Sequence, residues 1–285
     1  MKVTVAKSAG FCFGVQRAVD KVYALAEQSG KKVYTYGPII HNDQVVRDLE
    51  SLGVQVIPDE EALENIHEGI VVIRSHGVPR RIQEKIEAQG LECVDATCPF
   101  VKKIHRIVEK ETSEGAHVLI AGDPDHPEVM GICGWANGPV SVLKTAEEAE
   151  NFVPEAGKRV VLVSQTTFNY NKFQELVEIC NKKVYSVLVI NTICSATEER
   201  QAEASRLAGE VDAMIVIGGK HSSNTQKLYE ICRQKCRNTY FIETLVDLGF
   251  DPFQSFCHVG ITAGASTPKK IIEEVRKYVG TEHGI

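Results

Sequence analysis

Three cysteines occur in the same local setting, and this repeat limits the folds open to the chain. Each follows a short apolar run predicted to be a strand and precedes a helical pattern; they are Cys12, Cys98 and Cys194. A polar residue near the end of a further apolar run follows each cysteine after 28 or 29 residues; these residues are His41, His126 and Ser222. A repeat of this kind predicts three similar α/β units, each presenting one thiol at the same end.

Short β-rich runs alternate with helix-length segments throughout the 285 residues, which is typical of mostly parallel α/β sheets. The predicted strands are 2–5, 32–35, 55–57, 70–73, 92–94, 117–121, 140–143, 159–163, 186–190, 213–217, 240–242 and 257–261. Only 19 residues follow Ser266, enough for a helix but not for a closing strand. We therefore expect the N-terminal strand to complete the third sheet and to close a ring of three units. Their predicted bounds are 13–97, 98–193, and 194–285 together with 1–12.

Composition excludes several classes of protein. The net charge is −6, and Lys and Arg are scattered rather than clustered, so we expect no nucleic-acid surface. No apolar run approaches the length of a membrane span, and the first residues lack the pattern of a signal peptide. Nine cysteines without an export signal favour reduced thiols over disulfides, and hence a cytoplasmic protein.

Ligands of parallel sheets bind beyond the carboxyl ends of the strands. The predicted residues there are Cys12, His41, His76, Cys98, His126, Glu128, Thr166, Thr167, Cys194, Ser222, Ser223, Asn224 and Ser266. Few of them are carboxylates, and most can donate a hydrogen bond. Several helices begin just after these residues, so their N-terminal N–H groups face the same region. Such a region suits a phosphate or diphosphate group.

Three soft thiolates fit either an iron–sulfur cluster or zinc. Structural zinc uses four ligands, usually in closely spaced pairs, whereas these cysteines stand 86 and 96 residues apart. We therefore favour a 4Fe-4S cluster held by three cysteines, which leaves one iron open to a substrate oxygen. Cys93, Cys133, Cys180 and Cys257 are expected to pack as small apolar residues.

The motifs around these residues closely resemble those of the IspH/LytB family, the 4-hydroxy-3-methylbut-2-enyl diphosphate reductases. The resemblance covers the whole chain, from GFCFGV at 10–15 onward. Its other motifs lie at 37–42, 74–77, 95–99, 122–129, 164–167, 191–194, 221–225 and 262–266. It implies three α/β units in a pseudo-threefold arrangement around a central iron–sulfur cluster.

The resemblance also implies a role for each site residue. Cys12, Cys98 and Cys194 would bind the 4Fe-4S cluster. The substrate-binding residues would be His41, His76, His126, Thr166, Ser222, Ser223, Asn224 and Ser266. Glu128 would supply protons, with Thr166 near the allylic hydroxyl and His126 as the other catalytic candidate.

The implied reaction is the last step of the methylerythritol phosphate route to isoprenoids. It removes the allylic hydroxyl by two electrons and two protons, giving isopentenyl and dimethylallyl diphosphates. A cluster passes single electrons, so a one-electron donor such as ferredoxin or flavodoxin is expected as a partner. No Gly-x-Gly-x-x-Gly or Walker-type loop is present, which argues against a nicotinamide or ATP site.

Two alternatives stay open from the residues alone. One is another three-cysteine cluster enzyme of the quinolinate synthase type, although a dicarboxylate substrate would favour arginines in the site. The other is a non-catalytic iron–sulfur or zinc sensor, which would have little need for Glu128 beside His126.

Overall fold

The computed structural model describes residues 1–155, 157–183, 186–248 and 256–281. Within these residues no helix has both the length and the apolar character needed to cross a bilayer. The strands are β1 Lys2–Val5, β2 Val33–Tyr36, β3 Gln55–Ile57, β4 Ile70–Ile73, β5 Glu92–Asp95, β6 His117–Ala121, β7 Val140–Leu143, β8 Val160–Ser164, β9 Val187–Val189, β10 Ala213–Ile217, β11 Thr239–Ile242 and β12 His258–Ala263. All twelve predicted strands are present, with ends that differ by at most two residues.

Helices connect the strands, as expected for parallel sheets. They are α1 Phe13–Gln28, α2 Asp43–Ser51, α3 Glu60–Glu64, α4 Arg80–Ala88, α5 Pro99–Ser113, α6 Pro127–Cys133, α7 Ala146–Asn151, α8 Tyr170–Lys183, α9 Ser195–Ala208, α10 Ser223–Lys235 and α11 Lys269–Thr281. Residues Leu245–Leu248 form a short 3-10 helix. Three of the long helices, α1, α5 and α9, begin immediately after the three cysteines.

The chain divides into two compact units. The first unit comprises Met1–Gln16, Ile40–Arg47 and Ser195–Ile285. It contains one parallel sheet in the order β1-β12-β10-β11. Strand β1 pairs with β12 from Lys2 opposite His258 to Val5 opposite Ile261. The prediction that the N-terminal strand completes the last sheet is therefore confirmed.

The second unit comprises Arg17–Ile39 and Asp48–Cys194 and contains two parallel sheets. Their orders are β3-β2-β4-β5 and β7-β6-β8-β9. The described residues thus form three parallel four-stranded sheets with interleaved helices, as predicted. The finer division into 13–97, 98–193, and 194–285 with 1–12 stays a prediction.

All three sheets share one strand order. Numbered along each predicted unit, the strands lie in the order 2-1-3-4. The first and third strands are central, and the chain leaves them in opposite directions across the sheet. A crevice at their carboxyl ends is the usual ligand site of such sheets. The fourth strand of each sheet lies at an edge, and it is the strand that precedes a cysteine.

Buried side chains on both faces hold the sheets between helices. In the first unit, Ile215 and Ile261 pack toward Val275 of α11, while Met214 and Leu228 pack on the other face. Alternate residues of one strand therefore serve two cores, which explains why its whole length is apolar. Burial of each such side chain contributes roughly 1.5–3 kcal/mol.

Candidate active site

Each of the three cysteines is fixed by the same backbone hydrogen bond. In the second unit, Cys98 N–H donates to the carbonyl oxygen of Ser75 (3.0 Å), and Cys194 N–H donates to that of Thr166 (3.0 Å). In the first unit, Cys12 N–H donates to the carbonyl oxygen of Ala265 (3.2 Å). Every acceptor follows the third strand of its sheet. The loop of the edge strand is thus bonded to the loop of its central neighbour.

The cysteine side chains lie at helix N-termini and are partly exposed. Cys98 occupies the N-cap of α5, and the carbonyl oxygen of Cys12 accepts the first helical hydrogen bond of α1, from Gln16. The positive end of a helix stabilises an anion such as a thiolate. In contrast, Cys180 and Cys232 are buried, and burial raises the pKa of Cys232 to about 12. The sequence prediction for Cys257 is wrong, because its side chain is exposed rather than packed.

Polar side chains shape the turns before two of the cysteines. Asp95 Oδ1 accepts the N–H of Thr97 (2.8 Å), and Asn191 Oδ1 accepts the N–H of Ile193 (3.0 Å). Burial opposes ionisation of Asp95, but hydrogen bonds from Lys102 and Thr97 outweigh it and lower the pKa of the carboxyl. These local turns favour the backbone that carries each thiol out of its strand.

Two side chains of α9 perform the corresponding task for Cys12. Arg200, only 3% exposed, donates to the carbonyl oxygens of Gly10 (3.0 Å) and Ala263 (2.7 Å). Glu203 accepts the N–H groups of Lys7 and Ser8, both at 2.9 Å. The sequence reasoning missed both residues. The available signal was a charged Arg200 in line with apolar helix positions Ala204 and Leu207.

Glu128 and Thr166 form a buried pair in the second unit. Glu128 is 2% exposed and lies in the first turn of α6, whereas Thr166 follows β8 and is 7% exposed. The carboxylate accepts both the backbone N–H (2.6 Å) and the hydroxyl (2.8 Å) of Thr166. Glu128 is therefore no surface charge. The pair joins a carboxyl group to a hydroxyl at the end of a central strand.

Two of the predicted histidines lie close together in the same unit. The rings of His76 and His126 are 5.5 Å apart between centroids and nearly perpendicular. His126 caps α6, and its Nδ1 accepts the N–H of Glu128 (3.1 Å). The neutral ring of His126 therefore carries its proton on Nε2, which can donate a hydrogen bond away from the helix.

In the first unit, the predicted polar residues gather at the N-terminus of α10 and after β12. Ser222 caps α10 and accepts from the N–H of Thr225 (3.3 Å), while Lys227 donates to the hydroxyl of Ser223 (2.8 Å). The Ser266 hydroxyl donates to the carbonyl oxygen of His41 (3.2 Å).

Asn224 has an unusual environment. Its side chain is 5% exposed, and neither Nδ2 nor Oδ1 has a hydrogen-bond partner among the described residues. Leaving a buried donor or acceptor unpaired costs ~1–3 kcal/mol per group. Such a cost is expected where a ligand completes the hydrogen bonds, because burial without partners is otherwise rare.

Comparisons with known proteins agree with this arrangement. The family model described as "LytB protein" matches residues 3–280. A 4-hydroxy-3-methylbut-2-enyl diphosphate reductase of Caldanaerobacter subterraneus subsp. tengcongensis is 45% identical over 276 residues, 96% of this chain and 95% of the relative. The enzyme of that name from Geobacter sulfurreducens is 48% identical over 275 residues, covering 96% of this chain and 95% of the relative.

Two solved structures of such reductases are also similar to this chain. One is described as the structure of (E)-4-hydroxy-3-methyl-but-2-enyl diphosphate reductase, the terminal enzyme of the non-mevalonate pathway; it shares 45% identity with a TM-score of 0.70, covering 98% of this chain and 99% of that one. The Plasmodium falciparum E-1-hydroxy-2-methyl-but-2-enyl-4-diphosphate reductase shares 26% identity with a TM-score of 0.91, covering 98% of this chain and 87% of that one. The chain therefore belongs to the LytB family of 4-hydroxy-3-methylbut-2-enyl diphosphate reductases, which are oxidoreductases.

Proposed function

We propose that this chain removes the allylic hydroxyl of 4-hydroxy-3-methylbut-2-enyl diphosphate and yields isopentenyl and dimethylallyl diphosphates. Two electrons and two protons are consumed: the C–O bond breaks, a C–H bond forms, and the oxygen leaves as water. The buried carboxylate of Glu128, hydrogen-bonded to Thr166, is the observation that supports this reaction most directly. A poor leaving group such as hydroxide departs readily only when a proton is delivered to it.

The family implies an iron–sulfur cluster, and the thiols of this chain suit one. Cys12, Cys98 and Cys194 would be the three ligands of a 4Fe-4S cluster. Their support is chemical: each is a soft donor, partly exposed, at the positive end of a helix. When bound, the cluster supplies electrons and a Lewis-acidic iron.

Neutral hydrogen-bond donors would bind the diphosphate. They are His41, His76, His126, Ser222, Ser223, Asn224 and Ser266. The Nε2 proton of His126 and the unpartnered amide of Asn224 support this assignment. Binding energy from the diphosphate is remote from the bond that breaks, and it holds the allylic carbon in position.

Glu128 would hold the proton that leaves with the hydroxyl oxygen. The Thr166 hydroxyl donates to Glu128 in the described structure, so it can pass a proton between the carboxyl and the substrate oxygen. His126 is the second candidate, because its ring caps the helix that carries Glu128. Burial of both members of the Glu128–Thr166 pair keeps bulk water from competing as a proton source.

The reaction requires a donor of single electrons, and we propose ferredoxin or flavodoxin. A cytoplasmic location fits the nine free cysteines, since ligand thiols must stay reduced. Relatives at 45% and 48% identity carry the reductase name over nearly their whole length. Enzymes of the quinolinate synthase type and non-catalytic sensors are therefore not favoured.

Anaerobic reconstitution provides the test. The reconstituted protein should contain about four irons per chain, and it should convert the hydroxylated allylic diphosphate when given a one-electron reductant. A Glu128→Gln variant with the same iron content serves as a control for adventitious chemistry at the iron. Stoichiometric zinc without iron, or iron without turnover, would contradict the proposal.

A further inference from the structure

A buried histidine on the helix that begins after Cys98 packs against the loop that carries His76. His105 lies two turns into α5 and is 5% exposed. A Cβ atom added to Gly77 would lie 2.7 Å from Cε1 of His105 and 3.1 Å from Cγ2 of Thr97. Gly77 also has a φ of +73°, which other residues rarely adopt. The imidazole and the backbone next to His76 are thus in contact, with no room for a side chain.

Trp135 covers one face of this histidine. The two rings are stacked, with centroids 5.2 Å apart and an interplanar angle of 17°. The indole N–H of Trp135 donates to the carbonyl oxygen of Val78 (2.9 Å). Trp135 is therefore bonded to the same loop against which His105 packs. Together, the two rings restrain residues 76–78 from one side.

Helix α6 approaches this loop as well. A Cβ atom on Gly131 would lie 3.5 Å from the carbonyl carbon of Gly77 and 3.6 Å from the carbonyl oxygen of His76. The N–H of Arg80 donates to the carbonyl oxygen of Gly134 (3.3 Å). Because His126 caps the start of α6, these contacts determine how far His76 lies from His126.

We propose that His105, supported by Trp135, is a positioning residue that sets the place of His76 relative to His126 and so the affinity for the diphosphate. The inference rests on the proposed role of His76 in diphosphate binding. The role is one of shape: Nε2 of His105 has no hydrogen-bond partner among the described residues. A flat five-membered ring packs against both the indole and Gly77, whereas alanine would leave a gap there.

Calorimetric titration of inorganic diphosphate into the holoenzyme measures this role without turnover. His105→Ala should weaken diphosphate binding by about tenfold, since the loop loses its support, yet the iron content and the visible spectrum should stay as in the parent. His117→Ala is the matched control. His117, like His105, packs against an aromatic ring, but it meets Phe152 edge-on, with centroids 5.2 Å apart, and it lies at the start of β6. This control should bind diphosphate as the parent does.

A double-mutant cycle separates positioning from a general loss of stability. Gly77→Ala forces a Cβ atom against His105, so its effect on diphosphate affinity should be smaller in the His105→Ala background than in the parent. Additive effects would mean that the two residues act independently. If His105→Ala does not fold, Trp135→Phe takes its place. It keeps a ring beside His105 but loses the bond to Val78, and it should weaken binding by about threefold.

The outcomes separate the inference from the proposed function. Unchanged affinity in folded His105→Ala and Trp135→Phe, with weakened affinity in His76→Ala, would overturn the positioning role alone. If the parent bound no diphosphate, or if His76→Ala bound it as the parent does, both the positioning role and the proposed role of His76 would fall.

Discussion

Replacement of Glu128 by glutamine tests the chemistry of the site with little change in shape. Both carboxylate oxygens of Glu128 accept hydrogen bonds from Thr166, one from its N–H and one from its hydroxyl. Glutamine offers only one acceptor oxygen, and its NH2 group would face a donor. At least one of the two hydrogen bonds must therefore be lost or rearranged, and the group can no longer release a proton.

The expected magnitudes distinguish a structural from a catalytic role. A hydrogen bond to a charged group contributes ~1.5–3 kcal/mol, so the free energy of unfolding should fall by about 2 kcal/mol and the protein should still fold. Loss of proton delivery should lower turnover on the order of 10²–10⁴-fold, or ~2.7–5.4 kcal/mol in the activation barrier. Affinity for the substrate should change little, because Glu128 has no proposed part in diphosphate binding.

The assay is anaerobic turnover of the reconstituted variant, with substrate affinity and iron content measured on the same sample. Thr166→Val is a useful companion, since it removes the hydroxyl hydrogen bond to Glu128 but keeps the backbone one. Its turnover should fall by less than that of Glu128→Gln. Glu148→Gln is the matched control: Glu148 also lies in the first turn of a helix, α7, but it is exposed and belongs to a capping box. Near-parental turnover of Glu128→Gln would refute the reasoning and make His126 the next proton donor to test.

Three other predictions concern separate parts of the site. Asn224→Ala should weaken diphosphate binding while leaving the free energy of unfolding unchanged or higher, because it removes buried polar atoms that lack partners in the described structure; calorimetry and denaturant titration measure the two. Burial holds the His105 pKa at about 4, so its ring should stay neutral down to about pH 5 by NMR. In the unfolded chain the ring protonates near its usual pKa of about 6.5, so protonation favours unfolding between pH 6.5 and pH 4. The free energy of unfolding should therefore fall by ~3 kcal/mol as the pH is lowered from 6.5 toward 4. The His105→Ala variant should lack this part of the pH dependence of stability. Iodoacetamide should label the metal-free protein at the proposed cluster ligands Cys12, Cys98 and Cys194. It should spare Cys232, because burial keeps that thiol protonated. Mass spectrometry of the labelled peptides measures both outcomes.

Much of the fold could be predicted because the sheets are parallel and buried on both faces. Strands such as β4 and β10 are apolar at every position, which separates them clearly from the amphipathic helices. Pairing of β1 with β12 followed from the repeat, because the strand that precedes a cysteine is the last strand of its sheet in each unit. The ends of strands were harder to predict. The predicted strand 257–261 stops at Ile261, whereas β12 continues to Ala263, because the residues after Ile261 are also typical of a loop.

The site was predictable as a set of positions but not as a set of contacts. Strand order brings loops after central strands together, so Glu128 and Thr166 were expected at one edge of a sheet. Their direct hydrogen bonds depend on the exact path of each loop, which no periodicity reveals. Arg200 and His105 were missed for another reason. Each lies on a helix face that packs inward, and a buried polar side chain is recognised only from the groups it contacts.

Thr166 shows how closely the two proposed halves of the chemistry are joined. Its N–H and hydroxyl bind Glu128, and its carbonyl oxygen accepts the N–H of Cys194. One residue thus contacts the proposed proton donor on one side and a proposed cluster ligand on the other. Ser75 makes the equivalent bond to Cys98 and is followed directly by His76. Because a backbone amide cannot shift without moving its neighbours, substrate bound at the proposed positions His76 or Thr166 would be mechanically coupled to the cysteine loops. The strand order 2-1-3-4, which places the cysteine strand beside the third strand, is what makes this coupling possible.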